Sequence, residues 1–92
     1  MERIQIQIRG KVQGVFFRTG AKEKADALGL GGWVRNEEDG SVLIIAEGGK
    51  NALLDFIAWC GKAEPSFAEI ENIKVEWEKA EGNVTDFSIR YI

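Results

Sequence analysis

The chain has 92 residues, of which 45% are apolar and 29% charged, and its formal net charge is −3. This length suits one modest hydrophobic core, so we expect residues 1–92 to form a single domain. The acidic balance argues against a protein that gains affinity by neutralising nucleic-acid phosphates, and no apolar run approaches the length of a membrane span.

The start of the chain and its cysteine content favour a cytoplasmic protein. Residues 1–3 run directly into a strand pattern, without the apolar segment of a secretory signal. Cys60 is the only cysteine and cannot form an internal disulfide, which agrees with a reducing compartment. Its place on the apolar face of a predicted helix indicates a buried, unreactive thiol. We therefore expect a cytoplasmic monomer that binds neither nucleic acid nor a membrane.

The first third of the chain predicts a strand followed by a helix. Between residues 3 and 9, isoleucines alternate strictly with polar residues, which is typical of a strand with one face in water. Residues 19–28 place alanine and leucine at helical spacing among charged residues. Gly29 is suited to a left-handed helix cap, and Leu30 is placed for the apolar contact that accompanies such a cap.

The middle of the chain predicts a hairpin and a second helix. Two strand patterns, 33–37 and 41–47, flank an Asp-Gly turn, which is a strong hairpin signal. The second strand is continuously apolar over residues 42–46, as expected of a central strand that is covered at least partly on both faces. Residues 50–62 place apolar side chains on one helix face, and Pro65 prevents that helix from continuing.

The last third of the chain predicts two more strands. Residues 73–78 alternate between apolar and charged side chains, residues 81–83 form a turn, and residues 87–91 alternate again. The complete order is typical of an α+β, ferredoxin-like fold: βαββαβ plus a C-terminal strand. We expect two helices packed on one face of an antiparallel sheet.

The turn from Gly10 to Arg18 joins the first strand to the first helix and has the features of an anion site. Its backbone can aim several N–H groups into one concavity, and the helix adds unpaired N–H groups and the positive end of its dipole. Arg18 contributes a guanidinium that stays charged and can contact two phosphate oxygens at once. We expect Arg9, Lys11 and Arg35 to add to the local positive field.

Two segments resemble the signatures of the acylphosphatase family. Residues 8–18 contain an aliphatic residue, one variable position and then Gly-x-Val-Gln-Gly-Val-x-Phe-Arg, which fits the first signature at every fixed position. Residues 32–48 fit the second, with Gly-Trp-Val-Arg-Asn followed by spaced glycines and a valine. Residues 87–91 are similar to the family's terminal strand. The resemblance implies the ferredoxin-like fold, in which Arg18 and Asn36 converge, and hydrolysis of acyl phosphates without a metal or a covalent phosphoenzyme.

The residue types available restrict the chemistry independently of the resemblance. The chain has no histidine, which excludes histidine-based triads, and no metal-ligand spacing among its cysteine and carboxylates. Phosphoryl transfer through a loose transition state suits such a site, because positioning and charge stabilisation supply most of the catalysis. A carboxylate leaving group has a conjugate-acid pKa of about 4 and needs no proton, whereas an alkoxide needs an acid. The sequence therefore favours mixed carboxylic-phosphoric anhydrides as substrates.

Arg18 and Asn36 are the expected catalytic residues, by the positions that match the family. Arg18 is expected to bind and neutralise the phosphoryl oxygens. Asn36 is expected to hold the attacking water in line, with a substrate phosphoryl oxygen as the proton acceptor. Backbone N–H groups that share the phosphate are expected from Gln13, Gly14, Val15, Phe16 and Phe17. The expected ligand is a small acyl phosphate, with inorganic phosphate or a similar anion in the loop, and with no cofactor or metal.

One position departs from the family pattern. Some family members have a hydroxyl residue after the asparagine, whereas this chain has Glu37, which brings a negative charge towards an anionic substrate. Glu37, Glu38 and Asp39 are interpreted as a solvated hairpin tip rather than an acid-base pair. The three tryptophans are expected to be packing residues, with the first also a candidate for the site: Trp33, Trp59 and Trp77.

The main alternative is a ferredoxin-like binding module for RNA or a small ligand, without catalysis. A single-strand RNA binder of this fold carries basic and aromatic residues on the open face of its third strand, and residues 41–47 have none. A further alternative is the acylphosphatase-like module that opens hydrogenase-maturation carbamoyltransferases and acts on carbamoyl phosphate. Those proteins continue far beyond such a module.

Overall fold

A computed structural model describes residues 1–14, 16–62, 68–82 and 84–91. These residues form two helices and five strands: β1 (Glu2–Lys11), α1 (Phe17–Ala27), β2 (Gly31–Asn36), β3 (Val42–Gly48), α2 (Lys50–Lys62), β4 (Glu69–Lys79) and β5 (Phe87–Arg90).

The five strands form one sheet in the order β4-β1-β3-β2-β5. β1 pairs antiparallel with both β3 and β4, and β2 pairs antiparallel with β3. The closing strand β5 runs parallel to β2, so the sheet is mixed rather than purely antiparallel. The predicted α+β, ferredoxin-like architecture is confirmed with this one refinement.

Element boundaries differ from the sequence-based prediction at two informative places. α1 begins at Phe17, two residues earlier than expected, and its first turn therefore contributes the buried Phe17 side chain to the core. β4 begins at Glu69, four residues earlier than expected, because β1 extends to Lys11 and pairs with it there. The predicted break at Pro65 lies outside the described residues, as does the last residue of the turn predicted at 81–83.

The core lies between the helices and one face of the sheet. The alternation predicted for β1 is confirmed, since Ile4, Ile6 and Ile8 are fully buried. In β3 the helix-facing Ile44 is fully buried, and Ile45 is 3% exposed although it points to the opposite face. This confirms that the central strand is covered in part on both sides.

Two local predictions about the helices are also confirmed. Gly29 adopts φ 71°, and the Leu30 N–H donates to the Ala25 carbonyl at 2.9 Å, which together close the end of α1. Cys60 is buried on α2, and burial raises the pKa of its thiol. Neither described helix has the length and apolar character that crossing a membrane requires.

The sheet register sets where the candidate site lies. Ile8 pairs with Val42, and Val42 pairs with Asn36, so these residues form a row across β1, β3 and β2. We call this the loop end of the sheet, because the chain leaves β1 here for the turn that leads to α1. At the opposite end, Glu2 pairs with Gly48 and with Lys79.

Candidate active site

Among the described residues of the turn between β1 and α1, two are left-handed. Gly14 has φ 73° and Phe16 has φ 62°. A Cβ at Gly14 would meet nothing within 4 Å, so the backbone conformation, not lack of space, accounts for the glycine. Left-handed residues among right-handed ones turn successive N–H groups towards one side of the chain, which is the geometry of an anion-binding concavity.

The first turn of α1 has backbone donors without a partner inside the helix. The first backbone hydrogen bond of the helix joins the Gly20 N–H to the Phe16 carbonyl at 3.1 Å. The three preceding N–H groups, of Phe17, Arg18 and Thr19, therefore have no partner within the helix. No side chain in the described part of the chain caps this end, and the first turn contains no acidic residue. The positive end of the helix dipole is thus open to an anion.

A hollow of about 290 Å³ lies at this helix start. It is lined by Val12, Gly14, Phe16, Phe17, Arg18 and Thr19. Four of the residues predicted to bind phosphate therefore surround one space. Val15 lies outside the described residues.

Arg18 is held by an aromatic ring rather than by a carboxylate. Its guanidinium carbon lies 5.0 Å from the centre of the Tyr91 ring, and among the described residues it makes no salt bridge. A guanidinium that stacks on a ring keeps its in-plane N–H donors available for a ligand. The sequence had not singled out Tyr91. The signal that could have revealed this contact is an aromatic residue at the end of β5, which pairs with the strand that carries the second signature.

The wider positive field expected around the hollow is largely neutralised. Arg9 Nη1 lies 3.0 Å from Asp39 Oδ2, and Lys11 Nζ lies 3.8 Å from Glu69 Oε2. Arg35 also pairs with a carboxylate. These pairings reduce the positive field that the three residues were expected to add, because each cation faces a carboxylate. Arg18 remains as the cation of the hollow.

Asn36 ends β2 at the loop end of the sheet. It follows the fully buried Val34 by two positions, so its side chain lies on the same, helix-covered face. Its Oδ1 is buried and has no hydrogen-bond partner among the described residues. Buried polar atoms are nearly always paired, so this acceptor is suited to a water or ligand that enters the site.

The Gln13 side chain ties the turn to the hairpin that carries Asn36. Its Nε2 donates to the carbonyl oxygens of Glu37 at 2.8 Å and of Ser41 at 2.9 Å. The sequence predicted a role only for the backbone of Gln13 and missed this contact. A carboxamide at a fixed position of the first signature was the signal that could have revealed it, since a half-buried amide needs acceptors.

Register and stacking bring Arg18 and Asn36 to the same end of the molecule. Arg35, which precedes Asn36, pairs with Arg90, which precedes Tyr91, and Tyr91 contacts Arg18. α1 packs on β2 and β5 from the face to which the Asn36 side chain points. Asn36 is not among the described residues that line the hollow itself. The two candidates thus converge on one region, with Asn36 deeper in the protein.

Glu37 carries its charge away from the hollow. Arg35 Nε and Nη2 donate to the two carboxylate oxygens of Glu37, each at 3.1 Å. Glu37 and Arg35 alternate with Asn36 along the chain, so their side chains lie on the face opposite the helices. The expected negative charge beside the substrate is therefore balanced and lies on the other side of the sheet.

The hairpin tip is more ordered than predicted. The Ser41 hydroxyl and N–H both donate to Asp39 Oδ1, at 2.6 and 3.0 Å. These bonds, with the nearby Arg9, lower the pKa of Asp39 to about 2. Asp39 is thus a structural acceptor in the turn, not one half of an acid-base pair.

The tryptophans lie away from the hollow. Trp59 packs against Phe17 and Phe56, with ring centres 5.4 and 6.1 Å apart, which confirms its packing role. Trp33 lies on the open face between the guanidinium groups of Arg35 and Arg90, each 4.9 Å from the indole, so it is not a residue of this site. Trp77 is 43% exposed on β4 and packs less than expected.

Possible metal ligands do not cluster in the described part of the chain. No three or more cysteine, aspartate or glutamate side chains there are close enough together to hold a metal ion.

Comparisons with known proteins show the family of the chain. A family model described as Acylphosphatase matches residues 4–89. The chain is 47% identical over 88 residues to an acylphosphatase of Pyrobaculum calidifontis, covering 95% of this chain and 79% of that protein. The crystal structure of acylphosphatase from Bacillus subtilis matches with a TM-score of 0.94 and 38% identity, covering 99% of this chain and 100% of that chain. Full-length HypF, in its phosphate- and nucleotide-bound form, matches with a TM-score of 0.87 and 31% identity, covering 97% of this chain but 12% of that chain. The chain belongs to the acylphosphatase family.

Proposed function

We propose that this protein is an acylphosphatase that hydrolyses the carboxyl–phosphate bond of acyl phosphates to a carboxylate and inorganic phosphate. Water attacks phosphorus in line with the leaving carboxylate, without a metal or a cofactor. Arg18 and Asn36 are the catalytic residues. The backbone N–H groups from Gln13 to Phe17 bind the phosphoryl oxygens together with Arg18.

The phosphoryl group is bound at the start of α1. Three helix N–H groups without helical partners, two left-handed turn residues and the guanidinium of Arg18, which has no salt bridge among the described residues, all adjoin the same hollow. These donors are fixed before the substrate arrives, so they stabilise charge on the equatorial oxygens without reorganisation in the transition state. The guanidinium contacts two oxygens at once, which also fixes the orientation of the phosphoryl group.

The unpartnered Oδ1 of Asn36 is the observation that carries the proposal. It is a buried acceptor at the deep side of the site, so it can accept a hydrogen bond from a water whose oxygen then faces phosphorus. A carboxamide does not take up the proton of that water. The proton passes to a phosphoryl oxygen of the substrate, and the carboxylate leaves as an anion because its conjugate acid has a pKa of about 4.

The alternative of an RNA-binding module has little support. The side chains of β3 that face away from the helices are Leu43, Ile45 and Glu47, which offer neither a basic group nor an aromatic platform. The hollow at the start of α1, by contrast, combines N–H groups that have no helical partner with the guanidinium of Arg18.

The proposal also covers the domain organisation, the oligomeric state and the cellular location of the enzyme. We propose that residues 1–92 act as one domain and as a monomer in the cytoplasm. Burial of the only cysteine supports the monomer, because Cys60 is not accessible for pairing with a second chain. Light scattering in the presence and absence of reductant tests this, with one molecular mass expected in both.

Phosphate release from a panel of substrates tests the proposed activity. The panel contains acetyl phosphate, benzoyl phosphate, carbamoyl phosphate and a simple phosphomonoester, with a chelator present throughout. We expect turnover of the anhydrides and none of the ester, because only the anhydrides have a leaving group that needs no acid. An Arg18→Ala variant purified in parallel measures any contaminating phosphatase. Equal rates for ester and anhydrides, or activity that the chelator abolishes, would refute the proposal.

A further inference from the structure

Phe16 is an aromatic residue whose conformation and exposure the core does not explain. It is 77% exposed, and its φ of 62° places it in the left-handed region, where a residue with a Cβ is disfavoured. The adjacent Phe17 is buried and packs against Trp59, so it serves the core instead. A strained residue that exposes a large apolar side chain lowers stability, and such residues concentrate at functional sites.

Phe16 is one of the residues that line the hollow proposed to receive the phosphoryl group. It lines this space together with Arg18 and Thr19. Phosphate binding by the turn uses only the backbone N–H of Phe16, so the ring is not needed for that task. An exposed ring beside the hollow is available to the part of the substrate that is not phosphate.

In-line attack fixes the direction in which that part of the substrate points. The attacking and leaving oxygens lie on opposite sides of phosphorus. Asn36 Oδ1 is buried, so the water approaches from the protein side, and the acyl group must then point towards solvent. Phe16 lines this hollow and exposes its side chain to solvent, so it is the aromatic residue available to an acyl group that points outward.

We infer that the Phe16 side chain forms an acyl-binding subsite that favours acyl phosphates with aromatic or extended apolar acyl groups over acetyl phosphate. This inference rests on the proposed function. A single aromatic contact of this kind changes binding by about two- to ten-fold. The subsite therefore sets a preference among acyl phosphates and does not exclude the small ones.

Kinetics with two substrates test this subsite. The measured quantity is the ratio of kcat/KM for benzoyl phosphate to kcat/KM for acetyl phosphate. We expect Phe16→Asn to lower this ratio by about two- to ten-fold, because asparagine tolerates the left-handed backbone but has no ring. Effects on phosphate binding or on the fold act on both substrates and cancel in the ratio. Phe16→Leu is a second variant that keeps an apolar side chain, and it is expected to lower the ratio less than Phe16→Asn.

Two controls isolate the ring. Phe16→Tyr retains the aromatic face and should retain the ratio. Leu54→Asn removes an exposed apolar side chain from α2, far from the hollow in the fold, and should also retain it. The inference is overturned if Phe16→Asn leaves the ratio unchanged, or if Leu54→Asn lowers it as much.

A binding measurement separates this inference from the proposed function. Benzoylphosphonate and acetylphosphonate carry a phosphorus–carbon bond that is not hydrolysed, so calorimetry reports their affinities without turnover. Should the parent protein hydrolyse no acyl phosphate, the proposed function fails, yet a preference for benzoylphosphonate that is lost in Phe16→Asn still supports the subsite. Equal affinities for the two phosphonates in the parent protein overturn the subsite, whatever the activity.

Discussion

The two ends of the sheet use similar groups in opposite ways. At the end where Glu2 pairs with Gly48, Arg3 Nη1 donates to Glu47 Oε2 at 2.8 Å and Arg3 Nε donates to Glu78 Oε1 at 3.1 Å. The buried Glu47 carboxylate also accepts backbone N–H groups of Glu81 and Gly82, at 3.1 and 3.0 Å. A guanidinium, a carboxylate and two backbone donors thus satisfy one another.

At the loop end the same kinds of group are left unsatisfied by their protein neighbours. Among the described residues, Arg18 has no carboxylate partner and Asn36 Oδ1 has no hydrogen-bond partner. Three N–H groups of α1 also have no partner within the helix. An unpaired buried polar atom costs stability, so the proposed function assigns ligand binding to the end of the sheet at which the fold itself is less fully satisfied. The contrast predicts that substitutions at the two ends separate activity from stability.

Arg18→Ala should produce the largest effect. Deleting one preorganised donor lowers kcat/KM by roughly 100- to 1,000-fold, and Arg18 also supplies the charge of the hollow. Thermal stability should stay close to that of the parent, because no salt bridge among the described residues is lost. Benzoyl phosphate hydrolysis and a thermal melt measure the two quantities.

Arg9→Ala is the matched control for this substitution. Arg9 is an arginine at the same end of the sheet, and its exposed pair with Asp39 contributes little. We expect its kcat/KM to remain within about twofold of the parent. Parent-like hydrolysis by Arg18→Ala would remove Arg18 from the mechanism.

Asn36→Ala should lower kcat by about 100-fold while the affinity for inorganic phosphate stays nearly intact. The residue holds water rather than the phosphoryl group, so its loss affects turnover and not ground-state binding. Stability should be equal to the parent's or higher, because the substitution removes a buried acceptor without a partner. Competitive inhibition by inorganic phosphate and a denaturant titration measure both.

Asn72→Ala, at an exposed asparagine of β4, is the control for Asn36→Ala and should change neither quantity. A large loss of phosphate affinity in Asn36→Ala would contradict the division of roles between Asn36 and Arg18.

Glu47→Gln should reverse this pattern, with a loss of stability and parent-like kcat/KM. It removes the charge from a buried acceptor of Arg3 and of two backbone N–H groups, which destabilises the fold by about 2 kcal/mol. Glu78→Gln, which alters an exposed partner of the same arginine, should cost about 0.5 kcal/mol at most. A loss of activity in Glu47→Gln without a loss of stability would show that the two ends are not separate.

The unfolding free energy at acidic pH gives a second test of the role of Glu47. Burial raises the pKa of this carboxyl, but the hydrogen bonds from Arg3 and from the N–H groups of Glu81 and Gly82 lower it more, so its net pKa lies below the ordinary value of 4.5. A carboxyl with a lowered pKa stabilises the fold fully above the unfolded-state pKa, and this contribution is lost as pH falls through the folded-state pKa. Unfolding free energy should therefore fall less steeply below pH 4.5 in Glu47→Gln than in the parent.

Much of the loop end could be predicted from sequence because local rules specify it. Alternating isoleucines predicted β1, a glycine predicted the cap of α1, and the two signatures predicted that Arg18 and Asn36 belong to one site. Each of these features depends on residues that are close together in the sequence or on a fixed motif. The architecture followed from the order of such elements.

The features that were missed depend on pairings between distant residues. The contacts from Gln13 to the hairpin and from Tyr91 to Arg18 arise only once β2, β3 and β5 are side by side. The pair of Arg35 with Glu37 is local, but the face of the sheet on which it lies depends on strand alternation. Charge alone placed Arg35 and Glu37 near the substrate, but strand alternation turns both to the other face of the sheet. Predicting which side chains meet across a sheet therefore requires the strand register, and composition does not give that register.

Tyr91 gives the smallest expected effect and tests one of those missed contacts. Removing its ring in Tyr91→Leu should lower kcat/KM by about two- to five-fold, since an exposed cation–π contact contributes roughly 0.5–1 kcal/mol. Tyr91→Phe keeps the ring and should keep the activity. In a double-mutant cycle, Tyr91→Leu should add nothing to Arg18→Ala, because the ring acts only through the guanidinium that it orients. Independent, additive losses in the cycle would mean that Tyr91 contacts the substrate directly, and the loop end would then have a second ligand-binding side chain in addition to Arg18.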